Sequence, residues 1–325
     1  MSVLKNCKVI VTGGAGFIGS HLVDRLLEMQ CKVIVYDNLD EYYLGKEDNF
    51  HHNLNVENFH FVKGSILDYK TLFEYMKGSD IVFHLAAQPG VRFSVINPSK
   101  TLKVNVLGTL NVLRASEKAC VKKLIFASSS SVYGKINHTY IDGKYPTKPI
   151  SIYGASKLAA ENLCEVFSDQ LGLNIVILRY HTVYGPRQRP DMAIHKWVRQ
   201  IFSNKPVTIY GDGNQTRDFT YVEDIIRATV KAAEVDKADG ETFDIGAGCY
   251  SSINEVVRLL ADLTGINFEV IHEHPKIADV PHTCADISKA RRLLGYEPNT
   301  KIEEGLQRFI SWYKTHKIRN GDNQS

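Results

Sequence analysis

The sequence predicts an α/β fold, a doubly wound parallel sheet with a smaller, partly interleaved C-terminal region, and three observations lead to it. Short β-branched, apolar runs recur at residues 8–12, 32–36, 59–62, 81–85, 124–127 and 175–179, as strands buried on both faces do. Between them, segments 20–30, 98–120 and 154–170 carry apolar residues at three- and four-residue spacing, the pattern of crossover helices. After about Tyr180 the rhythm loosens. Pro186, Pro190, Gly211 and Gly213 punctuate shorter elements, and beyond a helix at 222–233 the helical spacing is clear only at 252–264 and 287–294.

With 325 residues, 44% apolar and 23% charged, the chain can bury a sizeable core in one large or two coupled domains. We assign 1–179 and 216–243 to the first domain, and 180–215 with 244–325 to the second. The net charge of +3 is spread along the chain without a basic block, so no nucleic-acid partner is expected. No apolar run reaches membrane-spanning length, and no membrane partner is expected either. The first strand starts close to Met1, so no secretory signal is expected. The six cysteines are scattered without close pairing, which fits a reducing compartment and a cytoplasmic location. There is no internal repeat. Ser128 to Ser131 is the single low-complexity stretch, and the polar end 319–325 is expected to fray.

The first strand runs into Thr12-Gly13-Gly14-Ala15-Gly16-Phe17-Ile18-Gly19 and then an amphipathic helix. Gly13, Gly16 and Gly19 let the backbone turn sharply and approach a pyrophosphate, while the amides and dipole at the helix start attract the anion. Asp37 ends the second strand 18 residues beyond Gly19, where a carboxylate can accept hydrogen bonds from both ribose hydroxyls and repel a 2′-phosphate. The expected cofactor is therefore NAD. His51, His52, His60, His272 and His274 lack accompanying cysteines or regular ligand spacing, so they are read as surface-loop residues and no metal is expected.

Tyr153 and Lys157 lie four residues apart in a helical segment, so both project from one face. A phenol is a poor base at neutral pH, and a neighbouring ammonium is expected to lower its pKa by stabilising phenolate. The strand at 124–127 delivers Ser128, Ser129, Ser130 and Ser131 to the carboxyl edge of the sheet, where ligands of doubly wound folds sit.

Taken together, these motifs resemble the extended short-chain dehydrogenase/reductases of the NAD-dependent epimerase/dehydratase family that act on nucleotide sugars. The resemblance rests on Thr12 to Gly19, His84-Leu85-Ala86-Ala87-Gln88, Asn105 in Val104 to Gly108, Ser128 to Gly134, Tyr153-Gly154-Ala155-Ser156-Lys157, Arg179 to Arg187 and Arg217-Asp218-Phe219. It implies a Rossmann-type fold with a C-terminal substrate-binding domain. It implies Tyr153 as base, Lys157 as its partner and Ser129 as the third catalytic residue. For the cofactor it implies Gly13, Gly16, Phe17, Ile18, Gly19, Asp37, Asn38, Ser65, Ile66, Leu85, Ala86, Ala87, Asn105, Tyr153 and Lys157. Ser65 replaces an aspartate that holds the adenine amino group in many relatives. The resemblance also implies a homodimer formed through the helices near 98–120 and 153–167.

In such enzymes NAD oxidises carbon 4 of the sugar to a bound 4-ketosugar. Similar dehydratases carry an Asp-Glu pair after the serine or threonine, and decarboxylases a glutamate; here those positions are Ser130 and Ser131. A hydroxyl is no proton shuttle at neutral pH, which leaves return to the opposite face, that is, 4-epimerisation. Residues 181–193 are most similar to the UDP-glucuronate 4-epimerases. For the sugar carboxylate, Arg189, Thr182 and the serines Ser129, Ser130 and Ser131 are the candidate donors; brace roles for Arg187 and Arg189 on their own loop are the competing reading. Gln88, Arg92 and Arg187 complete the substrate set, with Arg217 resembling the pyrophosphate arginine and Asp279 the acidic residue near uridine. Asp218 and Asp224 are read as helix-start carboxylates. Other substrates (UDP-glucose, UDP-N-acetylglucosamine), decarboxylation, 4,6-dehydration and a non-catalytic NAD sensor stay open at this point.

Overall fold

In a computed structural model, residues 3–135, 145–275 and 280–319 are described. The strands, in chain order, are β1 (Lys8–Thr12), β2 (Lys32–Asp37), β3 (Phe59–Lys63), β4 (Ile81–His84), β5 (Lys123–Ser129), β6 (Ile175–Tyr180), β7 (Thr182–Tyr184), β8 (Val207–Tyr210), β9 (Thr216–Arg217), β10 (Phe219–Tyr221), β11 (Thr242–Ile245), β12 (Ser251–Ser252) and β13 (Val270–Glu273). The helices are α1 (Phe17–Glu28), α2 (Tyr69–Met76), α3 (Val91–Ile96), α4 (Pro98–Leu102), α5 (Thr109–Lys118), α6 (Ile152–Leu171), α7 (Ala193–Phe202), α8 (Val222–Glu234), α9 (Ile253–Thr264), α10 (Ser288–Leu294) and α11 (Ile302–Arg319).

Seven strands form one parallel sheet in the order β11-β6-β5-β4-β1-β2-β3. Alternation along each strand decides which layer a side chain enters. Val9 and Val11 of β1 join Leu22, Val23 and Leu26 of α1 and Ile225 of α8 on one face. Ile10 joins Leu72 of α2, Val112 of α5 and Cys164 of α6 on the other. Covered on both sides, the sheet is a Rossmann-like doubly wound layer, as expected. The chain leaves β1 toward β2 and β3 and returns to β4 on its other side. The crevice of such a fold opens there, at the carboxyl ends of the strands.

The six anticipated strands all form. Several elements differ from expectation. The segment read as one helix at 98–120 is α4, a π-helical turn at Lys103–Gly108, then α5. β11 adds a seventh strand, its Thr242 to Ile245 in register with Ile177 to Tyr180. Helices α7 and α11 were not foreseen, although Ile194, Trp197, Val198 and Ile201 bury one face of α7; their apolar residues are interleaved with histidine and charge, which masked the spacing. His60 and His272 stand on β3 and β13 rather than in loops. Among the described residues no helix is long and apolar enough to cross a membrane, and no three His, Cys, Asp or Glu side chains cluster as metal ligands. Residues 320–325 of the expected frayed end lie outside the described residues.

Candidate active site

A cavity of about 570 Å³ runs along the carboxyl edge of the sheet. At one end lie Gly13, Gly16, Phe17, Ile18 and Gly19. Gly13 has φ +75, and a Cβ on it would stand 2.6 Å from the amide nitrogen of Ala86; a Cβ on Gly19 would meet the Gly13 carbonyl at 2.2 Å. Only glycine fits this turn. No side chain caps α1 at Gly16, so the helix presents amides there. Asp37 binds the same turn, its Oδ2 accepting from the Ala15 amide at 3.1 Å and its Oδ1 from that of Leu39 at 2.9 Å. Burial raises its pKa. Asn38, Ser65, Ile66, Leu85, Ala86, Ala87 and Gln88 continue the lining.

Tyr153, Lys157 and Arg189 close the other end. Ser151 caps α6 by accepting from the Gly154 amide at 3.0 Å, which fixes the first turn and therefore Tyr153 and Lys157. Burial raises the Tyr153 pKa, while the Arg189 charge and a hydrogen bond with the Ser129 side chain lower it. Lys157 is buried, donates to the Ala127 carbonyl at 2.8 Å and lies 5.0 Å from the Phe126 ring centroid; burial pushes it down to about 8. The Lys157 ammonium is thus held by a strand-end carbonyl, and the charge that lowers the Tyr153 pKa is that of Arg189.

Several anticipated contacts fall away from the cavity lining. Ser129 Oγ donates to Ser131 Oγ at 3.1 Å and accepts from the Ser131 amide at 3.2 Å, so the serines form a self-bonded turn behind Tyr153; Ser130 starts a 3₁₀ turn. Asn105 is 2% exposed; its Oδ1 accepts from the Gln88 amide at 2.7 Å and its Nδ2 donates to the Gln88 carbonyl at 3.1 Å. It holds a lining segment rather than lining the cavity. Arg187 pairs with Asp24 of α1 at 2.7 Å. Arg189 braces its loop through the Asp191 carboxylate, at 2.9 and 3.2 Å. Thr182 sits in β7, its amide donating to the Asp218 carbonyl at 3.0 Å. Arg217 donates to the Thr216 carbonyl at 2.7 Å. Arg92 stacks over Tyr210, 5.0 Å from its centroid, beside an open depression formed by Tyr210, Asp212, His272 and Glu273. Asp279 lies outside the described residues.

Asp224 does open α8, but Asp218 is not a helix-start carboxylate. Its two oxygens accept from the amides of Ala247, Gly248 and Ala285 at 2.7, 3.1 and 3.1 Å, stapling distant loops together. Asp224 also accepts from the amides of Asn299 and Thr300.

This arrangement can be set beside known proteins. The NAD dependent epimerase/dehydratase family matches residues 9–246. The chain belongs to that family. A UDP-glucuronic acid 4-epimerase from Bacillus cereus, solved with UDP-glucuronic acid and NAD, is 38% identical with a TM-score of 0.90, covering 95% of this chain and 99% of that one. A UDP-N-acetylglucosamine 4-epimerase from Methanobrevibacter ruminantium, in complex with UDP-N-acetylmuramic acid, is 34% identical with a TM-score of 0.91, covering 96% and 99%. A UDP-glucuronate 4-epimerase of Thermodesulfobacterium geofontis is 39% identical over 318 residues, covering 94% of this chain and 95% of that protein.

As a member of the epimerase/dehydratase family, the protein is an NAD-dependent enzyme. Its cavity includes residues that the sequence reading missed: Tyr42, Tyr43, Lys46, Lys100 and Lys103. Tyr42 donates to Asp191 at 3.0 Å and packs edge-on against Phe93 at 5.1 Å, and Asp40 pairs with Lys100 at 2.8 Å. The strap after β2 therefore crosses the cavity to α3 and α4. Two consecutive tyrosines in a polar loop were the available signal.

Proposed function

We propose that the protein is a UDP-sugar 4-epimerase that interconverts UDP-glucuronate and UDP-galacturonate. The observation that carries the reading is the chemistry of the cavity walls: among the described lining residues the carboxylates are Asp37 and Asp40, both on the segment that ends and follows β2, and none stands beside Tyr153. Dehydration needs an acid and a base next to the sugar, and Ser130 and Ser131 are neither.

The residues fit NAD. The glycine turn gives a pyrophosphate close backbone access, and the Asp37 carboxylate beside it suits ribose hydroxyls and disfavours a 2′-phosphate. NAD, when bound, would supply the hydride acceptor and donor for carbon 4. Tyr153 takes the proton from the 4-hydroxyl and gives it back after the ketosugar has turned; Ser129 holds the phenol, and Lys157 stabilises its ionised form. In this assignment residues 180–215 and 244–325, together with Arg217, bind the UDP-sugar, with Arg217 and Asp279 toward the nucleotide and Gln88 of the cavity lining beside the sugar. Arg189, the one arginine among the described lining residues, faces the uronate. A 4-ketouronate is a β-keto acid, and holding its carboxylate still prevents loss of carbon dioxide; a misplacement of about 1 Å can change a rate ~100-fold.

A second reading, a neutral UDP-hexose or its N-acetylamino relative as substrate, is favoured by one observation: the Arg189 charge is already answered by Asp191. Two further parts of the proposal rest on sequence resemblance and cysteine usage, a homodimer through α4, α5 and α6, where Leu102, Leu107 and Val166 are exposed, and a cytoplasmic location.

Incubating the protein with each UDP-sugar separately, without added NAD, and following products by NMR tests the assignment. UDP-galacturonate formed from UDP-glucuronate with no net reduction is the expected result; carbon dioxide release or a 4-keto-6-deoxy sugar would place the enzyme elsewhere in its family. Tyr153→Phe should lower turnover ~10²–10⁴-fold. Arg189→Ala should impair UDP-glucuronate more than UDP-glucose, and an equal loss would remove its carboxylate role.

A further inference from the structure

His84 has no part in the chemistry above, yet it is fully buried at the end of β4, beside the end of β1. Its Nδ1 lies 2.7 Å from Thr12 Oγ1, and its Nε2 lies 2.9 Å from Thr109 Oγ1. The proton positions follow from the partners' other bonds. Thr109 spends its single hydroxyl proton on the Asn105 carbonyl at 2.7 Å, so toward His84 it can only accept. Nε2 therefore carries the ring proton. In a neutral imidazole Nδ1 is then an acceptor, and Thr12 Oγ1 donates to it while accepting from the Ala86 amide at 3.4 Å.

The result is a directed chain: Thr12 O–H to His84 Nδ1, His84 Nε2–H to Thr109 Oγ1, Thr109 O–H to Asn105 C=O. Its first member immediately precedes Gly13 of the phosphate-binding turn. Its last lies in the π-helical turn, a form common at functional sites. From Asn105 the bonds go on: the amide clamps Gln88 and donates to Ser156 Oγ at 2.9 Å, and Ser156 Oγ donates to the Tyr153 carbonyl at 2.7 Å.

We infer that His84, held as the neutral Nε2–H tautomer, is a positioning residue that sets the glycine turn against the first turn of α6, and so sets the cofactor against Tyr153. The imidazolium would place two N–H groups on the ring and leave the Thr12 proton without its acceptor. Burial and the nearby Lys157 charge keep the ring neutral, with a pKa of about 3. Replacing His84 would uncouple the two ends of the site while leaving every group that touches the sugar in place.

The experiment combines NMR with kinetics on the full chain. Long-range ¹H–¹⁵N spectra of histidine-labelled protein, with the His84 signals assigned by their loss in His84→Gln, should show Nε2–H only from pH ~5 to pH ~9. Nδ1–H or an imidazolium in that range would overturn the inference. His84→Phe and Thr109→Val should each lower kcat, counted per molecule of bound NAD, by ~10-fold, with KM for the UDP-sugar little changed, and Thr109→Ser should restore kcat. If His84→Phe does not fold, the tautomer and the Thr109 pair still decide; unchanged kcat in Thr109→Val would sink the idea. The tautomer holds whichever sugar is the substrate, so its failure and that of the UDP-glucuronate reading are separable.

Discussion

At the scale of single residues, a buried charge network backs the site. Arg179 of β6 donates from Nε to Glu161 Oε1 at 3.0 Å and from Nη2 to Oε2 at 2.7 Å, and Ser128 Oγ donates to the same carboxylate. Arg179 also donates to the Tyr133 hydroxyl at 2.7 Å, which donates to Asp244 of β11 at 2.7 Å, and Asp244 meets His181 at 3.1 Å. Asp244 holds the His181 pKa above its ordinary value against the opposing effect of burial. Glu161 and Arg179 are each nearly excluded from solvent, so removing one partner strands a charge that water cannot reach. Glu161→Gln should destabilise the fold by about 3–5 kcal/mol, whereas Glu161→Leu with Arg179→Met should cost less, as read from denaturant unfolding. Equal losses would show that a stranded charge adds no penalty beyond the loss of the pair. None of this was visible in the sequence, where Glu161 reads as one more helix residue and Arg179 as a strand end.

At the scale of elements, the approach of α6 to the end of β5 decides the site. Gly154 is buried, and a Cβ there would stand 2.3 Å from the Ser131 carbonyl. Backbone sits against backbone, so no side chain can give way. Gly154→Ala should therefore push the first turn of α6 off the serine turn, lowering stability by roughly 1–3 kcal/mol and kcat more than KM. A variant with wild-type kcat would show that the Tyr153–Ser129 distance is set elsewhere. The sequence made α6 legible through its 3.6-residue period and made the strands legible through β-branched runs. It did not show the π-helical turn at Lys103–Gly108, because Asn105 and Thr109 keep helical spacing while their hydrogen bonds go to Gln88, Ser156 and His84. The glycine turn and Asp37 were legible for the opposite reason: their roles are local, fixed by backbone conformation and by one strand end. Arg189 was read as a carboxylate donor or a loop brace, but its bond to Asp191 and its influence on Tyr153 are settled only by how three loops meet.

At the scale of the whole molecule, three histidines tie acid stability to the site. His21 bonds the Pro186 carbonyl at 2.9 Å and His195 that of Gln188 at 2.6 Å, so both hold the loop that carries Arg189. Burial pushes His21 and His195 down to about 4 and His84 to about 3, from 6.5. Between those values the unfolded chain binds more protons than the folded one, so stability is fully present above pH 6.5 and is lost as pH falls toward 4. His181, with its raised pKa, works in the other sense. The net expectation is a falling thermal midpoint from pH ~6.5 to pH ~4, with a smaller fall in His195→Phe; a flat profile would mean that these rings are protonated in the fold. The sequence by itself determined the doubly wound sheet, the glycine turn, the acid at the end of β2 and the Tyr153–Lys157 pair, because each depends on local backbone geometry and periodic burial. Only the tertiary structure decided which cation faces Tyr153, which side chains brace rather than line the cavity, and how the strap after β2 crosses it, because those outcomes depend on which distant segments share a partner once water has been excluded.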